Sequence, residues 1–330
     1  MKFIFFADLH MGYYAEFDRN GSRLQRCLDA FEQIHNHAEQ IGASFIIDAG
    51  DMIDKKNLID FSVYNEIFKT LQAFSDIPIF SLVGNHNISG QSHPYPTNLL
   101  PLSEHIGIVD RPMLNMYGDV AIGFIPFCRK AQDWWIHYTS LTEQLNRLKP
   151  RTSILVGHQE IRGGVTGTHN HVSTSGLNAA EIKHWEWVVF GHYHRYQMLG
   201  DNVFYIGAAI QHNFGEVGNP QHFMVFDSDT NAWEIVPIEA PQFRFASHTS
   251  EIPDDTQDFW RLRTNEPVEL SEAQTTQVRL EPIVESTPQA RVMTPDDDFN
   301  SCVAAYVAAR IPPEFADDVL GLVRQINDRR

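Results

Sequence analysis

Two kinds of apolar pattern alternate along the first half of the chain. Short apolar blocks stop abruptly at a polar residue: "KFIFFAD" at Asp8, "SFIIDAGD" at Asp51 and "IPIFSLVGNHN" just past Gly84. Between them, apolar residues recur at helical spacing. "RLQRCLDAFEQIHNHAEQIG" places Leu24, Cys27, Leu28, Phe31 and Ile34 on one face, with Gly42 beyond as a stop. "FSVYNEIFKTLQAF" reads as a second helix. Further blocks, "VAIGFIPF", "TSILVGH", "EWVVFGHYH", "VFYIGAA" and "HFMVFDS", are strand candidates. Strand–helix alternation early in the chain predicts βαβ units. The closer spacing of the later strands predicts a second sheet.

The strand ends carry the candidate chemistry. Five blocks finish in groups able to bind metal: Asp8 and His10, then Asp51, then Asn85 and His86, then His158, then His192 and His194. In an open α/β sheet the C-terminal ends of strands gather at one edge, where such folds bind ligands. His192 and His194 are two apart, so in extended chain both rings face one point. Imidazoles mixed with carboxylates suit Mn, Fe or Zn better than an all-oxygen Mg or Ca site. A shared carboxylate can bridge two ions, as in two-metal phosphoryl-transfer sites, and water then serves as nucleophile.

Composition changes this picture in four ways. Across 330 residues, 43% are hydrophobic and 20% charged, enough for one large and one small globular unit. No run approaches a membrane span, and Asp8 comes too early for a signal peptide. Three widely separated cysteines, Cys27, Cys128 and Cys302, fit a reducing compartment, so a cytoplasmic protein is expected. The net charge of -17 argues against a broadly basic nucleic-acid surface, although bound cations would offset clustered acids locally.

The ordered motifs "DLH", "GDMID", "GNHN", "GH" and "GHYH" resemble those of the calcineurin-like metallophosphoesterases. Within that superfamily, "DLHMG" (8–12) and "VFYIGAAIQHNFGEVGNPQHFMVFD" are similar to the SbcD kind of recombination nuclease, including phage-encoded versions. The resemblance spans roughly residues 1–240. It implies an α/β fold, a four-layer α/β/β/α sandwich with a small C-terminal cap and a helical tail. It implies two divalent ions, Mn²⁺ first, with Fe, Zn or Mg as alternatives. Asp8, His10, Asp51 and His194 would hold one ion. Asp51, Asn85, His158 and His192 would hold the other, with Tyr193 turned away into packing. His86 resembles the family's catalytic histidine, with Asp54 placed to orient it. Two departures stand out: Asn87 replaces the acid that usually follows that histidine, and Ala208 replaces a serine often found there.

Lys55 and Lys56, just after "GDMID", are candidate phosphate contacts. His169 and His171 lie in a turn-rich loop and are read as ordinary loop histidines. Trp134, Trp135, Trp185 and Trp187 are read as packing residues rather than base-stacking platforms. From Pro241 the composition shifts: no lysine, nine arginines and sixteen acids. "DFWRLRTN" and "TTQVRLEPI" read as strands of a cap, with Arg261, Arg263 and Arg279 at strand spacing and able to touch phosphate. A linker at 285–295 precedes two apolar stripes, Phe299, Cys302, Val303, Tyr306, Val307 and Phe315, Val319, Leu322, Val323, Ile326. The domains expected are 1–240 (nuclease), 241–290 (DNA-facing cap) and 291–330 (tail that docks a partner or folds back). The function expected is a metal-dependent DNA exonuclease and/or endonuclease. It would be the catalytic subunit beside an SbcC-like coiled-coil ATPase, with a homodimer compatible and no membrane contact. The alternative is a metallophosphoesterase acting on a small phosphodiester or a phosphoprotein.

Overall fold

The computed structural model describes residues 1–283 except 15, 19, 20, 57, 59, 75, 91–96, 168 and 169, and also describes 307. The tail stripes, with Phe299, Tyr306, Leu322 and Ile326, lie outside the described residues apart from Val307. Met1–Glu281 form one compact unit.

The chain opens with β1 (Lys2–Phe6), α1 (Ser22–Ile41), β2 (Phe45–Asp48), α2 (Phe61–Ala73), β3 (Ile79–Leu82) and β4 (Gly107–Val109). These four strands are parallel neighbours. The predicted stripe of α1 is buried at Leu24, Cys27, Leu28, Phe31 and Ile34, and Gly42 ends the helix in the left-handed conformation (φ 63°). Asp60 caps α2 by accepting from Ser62 N at 2.9 Å.

The second sheet follows: β5 (Met113–Tyr117), β6 (Val120–Ile125), α3 (Ala131–Leu148), β7 (Thr152–His158), the ribbon β8 (Val165–Thr166) and β9 (His171–Val172), then β10 (Trp187–Gly191), β11 (Gln197–Met198) and β12 (Val203–Tyr205). Its order is β11-β12-β10-β7-β6-β5. One expectation is corrected here. "HFMVFDS" forms β13 (His222–Asp227), which does not join the second sheet. It returns antiparallel beside β1, and β14 (Ala232–Pro237) completes a first sheet ordered β14-β13-β1-β2-β3-β4. Spacing along the chain does not choose between sheets; the pairing partner does.

The two sheets pack face to face through Phe3, Phe5, Ile47, Phe124, Val156 and Val189. Helices α1 and α2 cover the outer face of the first sheet, and α3 covers that of the second. This is the α/β/β/α sandwich. Helix α3 escaped the pattern reading, although Trp134, Tyr138, Leu141 and Leu145 form its buried stripe. Trp134 and Trp185 are fully buried and Trp135 and Trp187 pack beside the cores, as packing residues.

After residue 240, β15 (Phe243–Ala246), β16 (Phe259–Arg263), α4 (Glu272–Gln277) and β17 (Val278–Glu281) build a small parallel sheet. It adjoins the sandwich through an aromatic cluster of Phe17, Phe214, Phe243 and Phe259. No helix among the described residues is long and apolar enough to cross a membrane.

Candidate metal centre

Five parallel strands end at one rim, three from the first sheet and two from the second. Asp8 lies just past β1, Asp51 past β2 and Asn85 past β3. His158 is the last residue of β7, and His192 follows β10 directly. Asp51, Asn85 and His192, with His10, His86 and His194, line a cleft of about 370 Å³, and Asp8 and His158 are fully buried.

The donors fall into two groups. In one, His10 Nε2 lies 3.2 Å from His194 Nε2, and each is 3.9 Å from Asp8 Oδ1. In the other, Asn85 Oδ1 lies 3.0 Å from His158 Nε2 and 2.8 Å from His192 Nδ1. Asp51 Oδ2 belongs to both, 4.0 Å from His10 Nε2 and 3.1 Å from His158 Nε2. Its other oxygen accepts from His86 N at 2.7 Å.

Hydrogen bonds behind the rings fix which nitrogen faces the cleft. A carbonyl can only accept, so His158 Nδ1, 2.8 Å from Ala49 O, carries a proton and leaves Nε2 for the cleft. His194 Nδ1 is held by Glu216 Oε1 at 2.8 Å, again turning Nε2 inward. Burial pushes His192 down to about 3, with His158 adding to it, and pushes His10 well below the usual imidazole range. Burial works against His158 too, but Asp51 lifts it to about 9; Glu216 does the same for His194. Burial would raise Asp51, yet His158 holds it well below the usual range.

The ionic partners of Asp8 and Asp51 among the described residues are all histidines. Imidazole nitrogens and carboxylates turned toward one another, with no ammonium or guanidinium between them among the described residues, fit divalent cations, which would replace the second proton that His158 and His194 otherwise hold. Backbone strain points the same way. Among the described residues eight non-glycine residues have positive φ, and four of them are here: Asp8 (53°), His10 (45°), Asp51 (61°) and His192 (97°). Each such conformation costs about 1–3 kcal/mol, and such strain collects at functional sites. His192 thereby departs from the extended-strand expectation. His192 and His194 sit past the end of β10, and a left-handed turn, not strand alternation, sends both rings inward. Tyr193 packs between Tyr205, at 4.9 Å, and the His192 ring, at 5.0 Å, with its hydroxyl on Glu160 Oε1 at 3.0 Å.

Two glycines make room for this. At Gly84 a Cβ would lie 2.2 Å from Asp51 Oδ1. At Gly50, with φ 110°, it would lie 2.4 Å from His158 Nδ1.

His86 is one-third exposed, and its Nδ1 donates to the main-chain carbonyl of Asp54 at 2.7 Å. The Asp54 carboxylate stands farther off, at 3.6 Å. The orienting contact therefore comes from the backbone of Asp54 rather than its side chain. Asn87 does not support His86 from behind. It is fully buried, accepts from Asp51 N and Gly84 N, each at 3.0 Å, and donates to Asn98 Oδ1 at 3.2 Å. Asn98 Nδ2 in turn reaches His86 O and Lys55 O. The amide suits this position because a carboxylate could not donate to Asn98. Ala208 is buried, with its N–H on His194 O at 3.1 Å.

The cations sort differently. Lys55 and Lys56 are exposed, and Lys55 Nζ lies 3.7 Å from the carboxylate of Asp54, which lines the cleft. Arg261 and Arg263 are already engaged. Arg261 lies over Phe214 at 4.0 Å between Glu16 and Glu281, and Arg263 lies over Phe245 and pairs with Glu281 at 2.8 Å. Arg279 covers Phe17 at 4.5 Å. His171 is exposed; His169 lies outside the described residues.

Sequence reasoning missed Glu216 and His212. Buried Glu216 holds His194 and also accepts from His212 N and Asn213 Nδ2. His212 Nε2 donates to Asp8 O at 2.8 Å. Their only signal was "QHNFGE", polar residues inside an otherwise apolar region. Because carboxylate support of a ligating imidazole typically matters 10–100-fold, Glu216→Gln is expected to weaken Mn²⁺ affinity by about that factor. Titration of the metal-free protein followed by calorimetry checks this; unchanged affinity would remove Glu216 from the site.

A model of the family described as "Calcineurin-like phosphoesterase" matches residues 1–196. Exonuclease subunit 1 of Enterobacteria phage T4 is 25% identical over 79% of this chain and 75% of its own. The SbcD component of the SbcCD nuclease of Staphylococcus epidermidis is 25% identical over 70% of this chain and 67% of its own. The DNA double-strand break repair protein Mre11 of Methanosarcina mazei is 23% identical over 78% of this chain but only 41% of its own.

Proposed function

This chain belongs to the calcineurin-like phosphoesterases and is a hydrolase of phosphodiester bonds, and on that premise we propose that it is a divalent-metal-dependent DNA nuclease, the catalytic subunit beside an SbcC-like ATPase. The carrying observation is the pair of donor groups that share Asp51. Three relatives whose names are those of an exonuclease subunit, a nuclease subunit and a break-repair protein support the choice of DNA. Asp8, His10, Asp51 and His194 would hold one ion; Asp51, Asn85, His158 and His192 would hold the other, with Mn²⁺ the favoured metal. Two such ions supply Lewis-acid polarisation of a phosphate oxygen and water of lowered pKa.

The chain's own residues supply the rest. With its Nδ1 proton committed to Asp54 O, His86 presents Nε2 to the cleft. Attack of water on phosphorus forms the new P–O bond and breaks the one to the leaving oxygen; the doubly protonated His86 ring gives its Nε2 proton to that oxygen, and the proton lost by the attacking water restores the ring. Lys55 and Lys56, both exposed, would meet the flanking phosphates, whereas Arg261 and Arg263 would first have to leave Glu281. The buried free cysteines Cys27 and Cys128 support a cytoplasmic setting.

A net charge of -17 supports a partner that holds most of the DNA, docked by residues 295–330. The test assays the full chain in Mn²⁺ on duplex DNA, single-stranded DNA and a chromogenic phosphodiester, with and without an SbcC-like ATPase. The expected result is hydrolysis of the small ester by the chain alone and ATP-stimulated DNA cleavage with the partner. Hydrolysis of the small ester with no DNA cleavage in either case would make it a small-molecule phosphoesterase, the reading its acidic surface favours.

A further inference from the structure

Away from the rim, α1 carries His35 and Glu39, one helical turn apart and therefore on one face. Asp76, between α2 and β3, comes up against them. The imidazole and the two carboxylates bring ligand atoms within 4.8 Å of one another. We propose that His35, Glu39 and Asp76 bind a divalent first-row transition metal, at a site built from residues the catalytic centre does not use.

The His35 side chain is only 1% exposed, its ring lying 4.6 Å from that of Phe74. Neither ring nitrogen has a hydrogen-bond partner among the described residues. Nε2 nevertheless lies 2.9 Å from Asp76 Oδ1, so the oxygen is near but off the line of the ring N–H. That geometry is poor for a hydrogen bond. It suits two donors that share a third point, because ligands about 2.0–2.2 Å from a tetrahedral ion sit roughly 3.3–3.6 Å apart, and a rotation of the exposed Asp76 carboxylate opens the 2.9 Å pair to that spacing. A buried ring with unmet nitrogens is otherwise destabilising.

Glu39 and Asp76 are exposed on the outer side, leaving that side open to water. Two carboxylates this close repel each other, and a cation removes the repulsion. One imidazole with two carboxylates suits Zn²⁺, Fe²⁺ or Ni²⁺ better than Mg²⁺ or Ca²⁺. A bound ion would tie α1 to the segment that enters β3, the strand whose far end leads to Asn85 and His86.

The test uses the full chain and Zn²⁺ alone. After equilibrium dialysis, wild type is expected to hold one more Zn²⁺ per chain than Glu39→Gln or Asp76→Asn. All three should hydrolyse a small phosphodiester in Mn²⁺ at the same rate. Zn²⁺ should raise the melting temperature of wild type by more than that of either variant. Both substituted positions are exposed, so folding is not at risk. The difference of one Zn²⁺ should persist when the comparison is repeated in an Asp51→Asn background. If it vanishes there, the ion belonged to the rim and the proposal fails. If neither variant loses Zn²⁺ and Asp76→Asn merely melts earlier, His35 and Asp76 are an ion pair only, and the proposal is wrong.

Discussion

Asp51→Asn is expected to remove hydrolysis of every substrate, DNA and small phosphodiester alike, together with most of the bound Mn²⁺. The substitution keeps the shape of the side chain. An amide oxygen can still accept from His86 N, as Oδ1 does at 2.7 Å, so the loop carrying His86 should hold. What changes is Oδ2, the atom within 3.1 Å of His158 Nε2 and 4.0 Å of His10 Nε2. There the variant offers an NH₂ group, which has no lone pair for a cation and no charge to balance one. A bound metal contributes several kcal/mol to the transition state, and each 1.4 kcal/mol is about tenfold in rate, so a loss of about 10³-fold or more follows. Elemental analysis and a rate measurement on the same sample check it. A variant that kept both its metal and its rate would show that Asp51 is not shared between two ions.

His86→Ala is expected to lose about 10²–10⁴ in rate, the contribution typical of a general acid, with Mn²⁺ content unchanged. The ring is fastened to Asp54 O rather than to the donors, and its remaining nitrogen opens on the cleft. His86 main-chain N–H, which holds Asp51, survives the substitution. The loss should be smallest for esters with good leaving groups, which need little protonation, and largest for DNA. Loss of metal along with rate would make His86 a ligand instead. A uniform loss across leaving groups would assign it to charge stabilisation rather than proton transfer.

Much of this was legible along the chain because parallel strands buried on both faces read as unbroken apolar runs. The point where each run meets an acid or an imidazole marks a strand end. Asp8, Asp51 and His158 could be singled out in that way without any partner in view. The stripe of α1 and its glycine stop were equally plain, since both are local. Helix α3 was there to be read as well, in Trp134, Tyr138, Leu141 and Leu145; the pattern was overlooked, not absent.

Other features depend on residues that meet only across the fold. Glu216 looks like any surface acid until it is set against His194, and Asn87 looks like a lost acid until Asn98 supplies an acceptor for its amide. Arg261 and Arg263 keep the strand spacing that suggested phosphate contacts, yet Glu281, Phe214 and Phe245 occupy them. Neither local propensity nor periodicity carries information about such partners, because a hydrogen bond or stacked ring depends on distance in space. The sequence alone thus determined the apolar strand blocks, the order of the donor residues at their ends and the kinds of cation those donors suit. The tertiary structure alone decided that β13 returns to β1 and that a left-handed turn aims His192. It also decided that one oxygen of Asp51 reaches His158, 107 positions further along the chain. Each of these is a long-range packing choice, made where two sheets bury their facing sides together.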